Sequence, residues 1–262
     1  MIAFGQVLET EFMKLRRCKV TWATLAGLSL GPLGLALFMW IVREPGRASQ
    51  LGLLGTKANL SGLEATWPAY ASALTLIVGM GGVLLLSFIV AYVFGREYAE
   101  TTAKNLLALP VGRHWIVVAK LAVAAAWWAA LAIAVVAEGV VVGLALGLPG
   151  FSAGVVLGLV SNALLAAGIS FLLSPVVAWV TVAGRGYMAP IAFAIAMMAL
   201  GNLFGKTGWA EWFPWSIVPS MIGAVGTPVQ SLPAGSYVVL AATCAAGVAA
   251  TIAQMRFADN AQ

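Results

Sequence analysis

Residues 71–94, ASALTLIVGMGGVLLLSFIVAYVF, run into 95–120, GREYAETTAKNLLALPVGRHWIVVAK, and then into 121–137, LAVAAAWWAALAIAVVA. The first and last of these segments carry no charged residue, and the middle one is the longest polar interruption between two long apolar runs. About 20 apolar residues suffice to cross the hydrocarbon core of a bilayer as a helix. Inside that core only helices and closed barrels satisfy every backbone polar group. The three segments therefore read as span, loop and span.

The whole chain extends this reading. It is 62% hydrophobic and 9% charged, whereas soluble domains are about 25% charged. The class is an all-α polytopic membrane protein, and 262 residues leave room for about six spans with short loops. The net charge of +5 does not indicate nucleic-acid binding, because the basic residues are few and scattered and follow membrane topology better. His114 is the only histidine, which excludes histidine-rich metal sites. Cys18 and Cys244 fall at different depths and are expected to remain unpaired. The first apolar run starts after Glu9, Glu11 and a basic cluster and is long enough to span, so the N-terminus does not read as a cleaved secretory signal.

Taken as a single transmembrane domain over 1–262, the chain divides as follows. Residues 1–19 form an amphipathic segment, with Phe4, Leu8, Phe12 and Leu15 at helical spacing and Lys14, Arg16, Arg17 and Lys19 following. Such a segment reads as an interfacial helix on an anionic leaflet. Spans are expected at 20–42, 71–94, 115–148, 153–182, 188–203 and 236–255. Gly31-Pro32 should kink the first, and Gly79, Gly81 and Gly82 mark a bend or a tight contact in the second. Trp67 is expected where the chain re-enters the interface, and Lys120 is expected to snorkel to it. Residues 204–235 carry Trp209, Trp212 and Trp215 among four prolines. They read as broken short helices at the outer interface. Ten of the fourteen Lys and Arg residues fall on the side of the termini, which places both termini and the 95–113 loop in the cytoplasm.

The loop itself has helical chemistry. Arg96–Glu100 and Glu100–Lys104 are i,i+4 pairs. Tyr98, Thr102, Leu106 and Leu109 share one face, while Glu97, Glu100, Thr101 and Lys104 share another. Pro110 stops the helix at or before Leu109. On pattern alone two readings stand. One is a helix on the membrane surface or docked into a partner, and the other is a solvated helix that only joins two spans. Elsewhere Glu138 is the one acidic residue inside an apolar run. Intramembrane carboxylates are functional candidates, but Glu138 lies roughly 34 Å along its helix from Trp115, in the outer part of the membrane. With Trp209, Trp212 and Trp215 it is a candidate for an outer gate or vestibule, and the plainer reading is a carboxylate that pairs with a loop base. Gly139, Gly143 and Gly147 follow at a spacing that favours close helix packing, within the subunit or across a dimer.

The loop resembles the cytoplasmic coupling region of type-two ATP-binding-cassette (ABC-2) export permeases, which read an acidic start, Glu-Gly-Thr or similar, a Leu-rich turn and Pro-x-Ser-Arg. Here the sequence is Glu97, Glu100-Thr101-Thr102, Leu106-Leu107 and Pro110-Val111-Gly112-Arg113. Thr101 stands where the family often has Gly, and Gly112 where it often has Ser. Glu11, Lys14, Leu15, Arg16 and Arg17 match the Glu-x-x-Lys-Leu-basic start of antibiotic- and lantibiotic-immunity permeases. The resemblance implies a permease that moves an amphipathic or hydrophobic substrate outward. It implies that Arg96, Glu97, Glu100, Thr101, Lys104, Leu106, Pro110 and Arg113 contact a separate cytosolic ATPase, present in two copies, beside a second permease that is identical or homologous. The site is a bacterial cytoplasmic membrane. ATP and magnesium would sit on the ATPase, since this chain has no GxxxxGK[ST] loop, no cofactor of its own and no metal site. The rival readings are an ATP-independent carrier or channel, which needs no partner, and a membrane enzyme acting on lipid, which needs a polar catalytic cluster.

Overall fold

The computed structural model describes residues 4–16, 18–53, 64–102, 111–224 and 232–257. Among them every regular element is helical: α1 (Phe4–Arg16), α2 (Lys19–Arg43), α3 (Pro45–Gln50), α4 (Trp67–Leu76), a π-helical turn (Ile77–Gly81), α5 (Gly82–Ala99), α6 (Arg113–Leu146), α7 (Ala153–Ala183), α8 (Met188–Phe204), α9 (Pro214–Met221) and α10 (Ala234–Phe257). Five helices are long and apolar enough to cross a membrane, counting Trp67–Ala99 as one, and Met188–Phe204 is a shorter apolar helix of 17 residues. At 1.5 Å per residue that helix is about 26 Å long, a little less than the ~30 Å hydrocarbon core. The chain is an all-α polytopic membrane protein.

Three boundaries differ from expectation in ways that matter. The second apolar helix starts at Trp67 and ends at Ala99, so Glu97 belongs to the long helix and not to a separate loop helix. The π turn falls on the glycine cluster. A Cβ on Gly79 would lie 2.5 Å from Ile222, and one on Gly82 would lie 2.8 Å from Trp128. The glycines thus serve both a local backbone irregularity and close contact. Between α8 and α10 the described residues form one short helix, α9, with Pro214 at its first turn, where a missing N–H costs nothing.

Helix α7 is the hub, touching α4, α5, α6, α8 and α10. Its largest contact is with α10. There Gly247 brings the backbones together, since a Cβ on it would lie 2.6 Å from Val176 N, and Thr251 donates to Pro175 O at 3.3 Å. The main apolar core joins α5, α6 and α7 through Phe94, Trp127, Trp128 and Val177, and Trp128 Nε1 donates to Ala167 O at 2.9 Å.

The two ends of the bundle are distinct. At one end α1, the end of α5, the start of α6 and the end of α10 meet, so the N- and C-terminal helices share it. At the other end Arg43 donates to Leu146 O, and Trp67 N donates to Pro149 O, both at 2.9 Å. Trp67 is 1% exposed. Its ring points into the bundle and fills the notch left by Gly143, where a Cβ would approach it to 2.7 Å. Gly139 meets Leu74 in the same way. Gly139 and Gly143 therefore serve packing within the subunit. Gly147 has a different job: it caps α6 in the left-handed conformation, with φ +58°.

Candidate functional site

The end of the bundle where α1 and the last turn of α10 lie holds a four-membered ion-pair cluster. Glu11 comes from α1, one turn before Lys14. Glu97 comes from the last turn of α5, and Lys120 from the third turn of α6. Lys120 Nζ lies 2.7 Å from Glu97 Oε1 and 3.4 Å from Glu11 Oε2. Lys14 bonds Glu11 Oε1 and reaches Glu97 Oε1 at 3.3 Å. Lys120 also donates to Val93 O at 2.7 Å, so its three N–H donors have three acceptors. Two carboxylates face two ammonium groups, and the cluster is neutral.

Burial makes this arrangement necessary. Lys120 is 0% exposed, Glu97 5% and Glu11 6%. A lone charge at such depth costs several kcal/mol, so each ion is tenable only with the others in place. Lys120 does not snorkel to the interface. Its side chain turns inward, because its neighbours Ile116, Val117, Val123 and Ala124 lie in the core and the carboxylates lie among them. Burial lowers the affinity of Lys14 for its proton, but Glu11 and Glu97 beside it outweigh this and leave its pKa raised. The second oxygen of Glu97, Oε2, is buried and has no hydrogen-bond partner among the described residues.

The buried residue of α1 is Glu11, while Phe12 of its expected apolar side is exposed. Phe4 anchors the other end of α1 by its ring contact with Trp115, 5.0 Å between centroids. The Glu-x-x-Lys-Leu pattern thereby acquires a physical meaning: Glu11 and Lys14 are the α1 half of the cluster. The signal for Glu11 was present in sequence. It stands at i+3 from Leu8 and i−4 from Leu15, inside the apolar stripe, and Lys120 stands inside an apolar run. Each is an anomaly whose remedy is the other.

The residues of the 95–113 segment separate into three groups. Glu97 points inward and is part of the cluster, so it does not share an outward polar face with Glu100 and Thr101. Arg96 and Glu100 form the expected i,i+4 pair, Nε to Oε1 3.4 Å, with Glu100 exposed. Lys104, Leu106 and Pro110 lie outside the described residues. Arg113 opens α6 and donates to the carbonyls of Met255 and Arg256, the latter at 2.9 Å. It thus holds the otherwise unsatisfied C-terminal carbonyls of α10.

Helix α5 ends in a paired-hydrogen-bond cap. Thr102 N donates to Glu97 O at 2.8 Å, and Thr101 N donates to Tyr98 O at 3.3 Å. This geometry needs a left-handed residue just past the helix, most often glycine. Thr101 occupies it, with φ +56°. The position where related permeases often have Gly is the one whose backbone asks for it, and the threonine holds it at a steric cost.

On the opposite side, Glu138 is partly buried on α6, one residue before Gly139, whose carbonyl accepts the Tyr70 hydroxyl at 2.8 Å. Trp209 and Trp212 are exposed. Trp215 packs edge-on against Phe193 at 5.5 Å. Among the described residues no hydrogen bond or ring contact joins Glu138 to these tryptophans. Cys18 and Cys244 are both free. The Cys18 thiol donates to the Tyr92 hydroxyl oxygen at 2.9 Å, and its sulfur accepts from Val20 N at the start of α2.

Comparison with known proteins agrees with this architecture. The sequence pattern of the ABC-2 family transporter proteins matches residues 7–201, a stretch that includes most of α1 and all four residues of the cluster. The bacitracin transport permease protein BCRB of Bacillus licheniformis is 33% identical over 184 residues, covering 70% of this chain and 88% of that protein. With that match spanning most of its length, the chain belongs to the ABC-2 transporter family and is a transmembrane permease subunit.

Proposed function

We propose that this permease works with a separate ABC ATPase to export an amphipathic or hydrophobic compound, such as an antibiotic peptide or a lipid-like molecule, across a bacterial cytoplasmic membrane. Two ATPases and two permeases, identical or homologous, form the working unit. ATP and magnesium are held by the ATPases. The end of the bundle that carries both termini faces the cytoplasm, in keeping with the distribution of Lys and Arg.

The observation that carries this reading is the anchoring of the segment between α5 and α6. On one side of it Glu97, in the last turn of α5, is tied to α1 and α6. On the other side Arg113, which opens α6, is tied to the end of α10. A displacement imposed on this segment by ATPase closure is therefore passed to α1, α5, α6 and α10 together. Arg96, Glu100, Thr101, Lys104, Leu106 and Pro110 supply the contact, and Glu97 with Arg113 transmits it. The outer end, with Glu138, Trp209, Trp212 and Trp215, forms the release side. The substrate class is inferred from the bacitracin transport permease that the chain is similar to.

The test uses Glu100, which is exposed, together with Lys104, and leaves the buried cluster intact. In the full chain, Glu100→Ala with Lys104→Ala should weaken capture of the cognate ATPase and impair transport. Truncating one partner of a desolvated charged contact costs about 2–5 kcal/mol, against about 0.3–0.5 kcal/mol for a solvated helix pair. Arg47→Ala, on the opposite end, is the control. Normal capture and normal transport in the double variant would return the segment to a plain connector.

A further inference from the structure

We propose that the cleft between α1, the start of α2 and the end of α5 binds the phosphate headgroup of an anionic phospholipid. The cleft has a volume of about 520 Å³ and is lined by Lys14, Lys19 and Arg96, with the hydroxyls of Thr10 and Tyr92 and the carboxylate of Glu100. The proposal rests on the reading that this end of the bundle meets the membrane–water interface.

Counting donors shows why the cleft suits an anion. Lys14 gives two of its three N–H donors to Glu11 and Glu97, and one remains. Arg96 contacts Glu100 through Nε, which leaves the outer edge of the guanidinium fork, the part that binds phosphate oxygens in pairs. Lys19 is exposed and makes no hydrogen bond or ion pair among the described residues. The one carboxylate in the lining, Glu100, is already neutralised by Arg96. Cations with spare donors therefore converge on a space that the protein leaves open.

The surroundings favour a lipid over a soluble anion or a protein. Met13 lines the cleft and is 47% exposed. Trp22, one turn into α2 from Lys19, is 71% exposed. Cations in the cleft with Met13 beside them, and Trp22 further along α2, provide contacts for both the phosphate and the acyl chain of a phospholipid. Basic pockets between helices at the cytoplasmic face are suited to such headgroups. A lipid held there touches α1, α2 and α5 at once, next to the ion-pair cluster, and so braces the docking of α1.

The experiment is native mass spectrometry of the full-length chain, titrated in detergent with phosphatidylglycerol and with phosphatidylethanolamine of the same acyl chains. Phosphatidylglycerol should bind in clear preference. Lys19→Gln should weaken that binding by about tenfold, the loss expected for one charge-assisted contact, and adding Arg96→Gln should abolish the preference. Arg43→Gln with Arg47→Gln, at the opposite end, should leave it unchanged. Equal retention of both lipids, or unaltered phosphatidylglycerol binding in Lys19→Gln, would overturn the proposal. So would displacement by millimolar inorganic phosphate, which would assign the cleft to a soluble anion. Loss of ATPase capture with unchanged lipid binding would make it a protein contact. Lys19 lies outside the segment assigned to the ATPase, and binding in detergent does not depend on membrane orientation, so the lipid result is read separately from the export reading. If the doubly substituted chain does not fold, Lys19→Gln alone decides, because that side chain makes no hydrogen bond or ion pair among the described residues.

Discussion

Replacing Lys120 by methionine tests whether the ion-pair cluster holds α1 to the bundle. Lys120 Nζ is 2.7 Å from Glu97 Oε1 and 3.4 Å from Glu11 Oε2. At an effective dielectric constant near 20, these contacts are worth about 6 and about 5 kcal/mol of attraction. Taking each ion out of water costs several kcal/mol, so the intact cluster sits near balance. Lys120→Met leaves Glu11 and Glu97 facing the single ammonium of Lys14. Breaking a buried pair in this way costs about 3–5 kcal/mol. Glu97→Gln combined with Lys120→Met removes one charge of each sign and keeps the Glu11–Lys14 pair. The double variant should lose only about 1–2 kcal/mol, chiefly the hydrogen bond to Val93 O. Thermal unfolding of the full chain in detergent reads the cycle. At about 2–4 °C per kcal/mol for a chain of this size class, the single variant should fall by roughly 10 °C and the double by less than half as much. Protease cutting within residues 4–18 should rise in the single variant, as α1 loses its buried anchor. A double variant no more stable than Lys120→Met would refute the reasoning, because the two charges would then not be each other's compensation.

Three further outcomes follow from the backbone and the packing. Thr101→Gly should raise stability by about 0.5–1 kcal/mol, since a left-handed conformation costs a branched residue about 1–2 kcal/mol and glycine loses part of that gain in chain entropy; an unchanged or lower melting temperature would show that the position is not strained. Gly139→Ala should destabilise by about 1–3 kcal/mol through overpacking, because its Cβ would fall 2.2 Å from Leu74. Gly27→Ala, with nothing within 4 Å, should be tolerated, and equal melting temperatures for these two variants would contradict the packing. A cysteine at Lys57 should react with an impermeant thiol reagent applied to intact cells and one at Lys104 should not; equal labelling would reject the assigned orientation.

The extent to which the site was legible in sequence differs residue by residue. The Arg96–Glu100 pair was legible because i,i+4 neighbours meet on any helix. The Glu11-Lys14-Leu15 pattern was legible as a resemblance, but its reason was not. Glu97 was misplaced on an outward face because helical spacing gives the relative angle of two side chains and not the direction of either. The burial of Trp67 is not legible from tryptophan's preference for interfaces, because Gly143 opens the slot for its ring from another helix.

The sequence by itself determined the helical, membrane-spanning class, the approximate ends of the apolar helices and the side on which positive charge collects. These follow from properties local to each segment: apolar length, the lack of charge, and the backbone's need to satisfy its own hydrogen bonds in hydrocarbon. Only the tertiary structure decided that Lys120 and Glu97 turn inward, that α1 docks by a carboxylate, and that the glycine series serves a contact within the chain. Lys120 meets a partner 109 residues away and Lys14 meets one 83 residues away. The cost of burying an ion is set where it stands, whereas the charge that cancels it comes from another helix, and only folding brings the two within bonding distance.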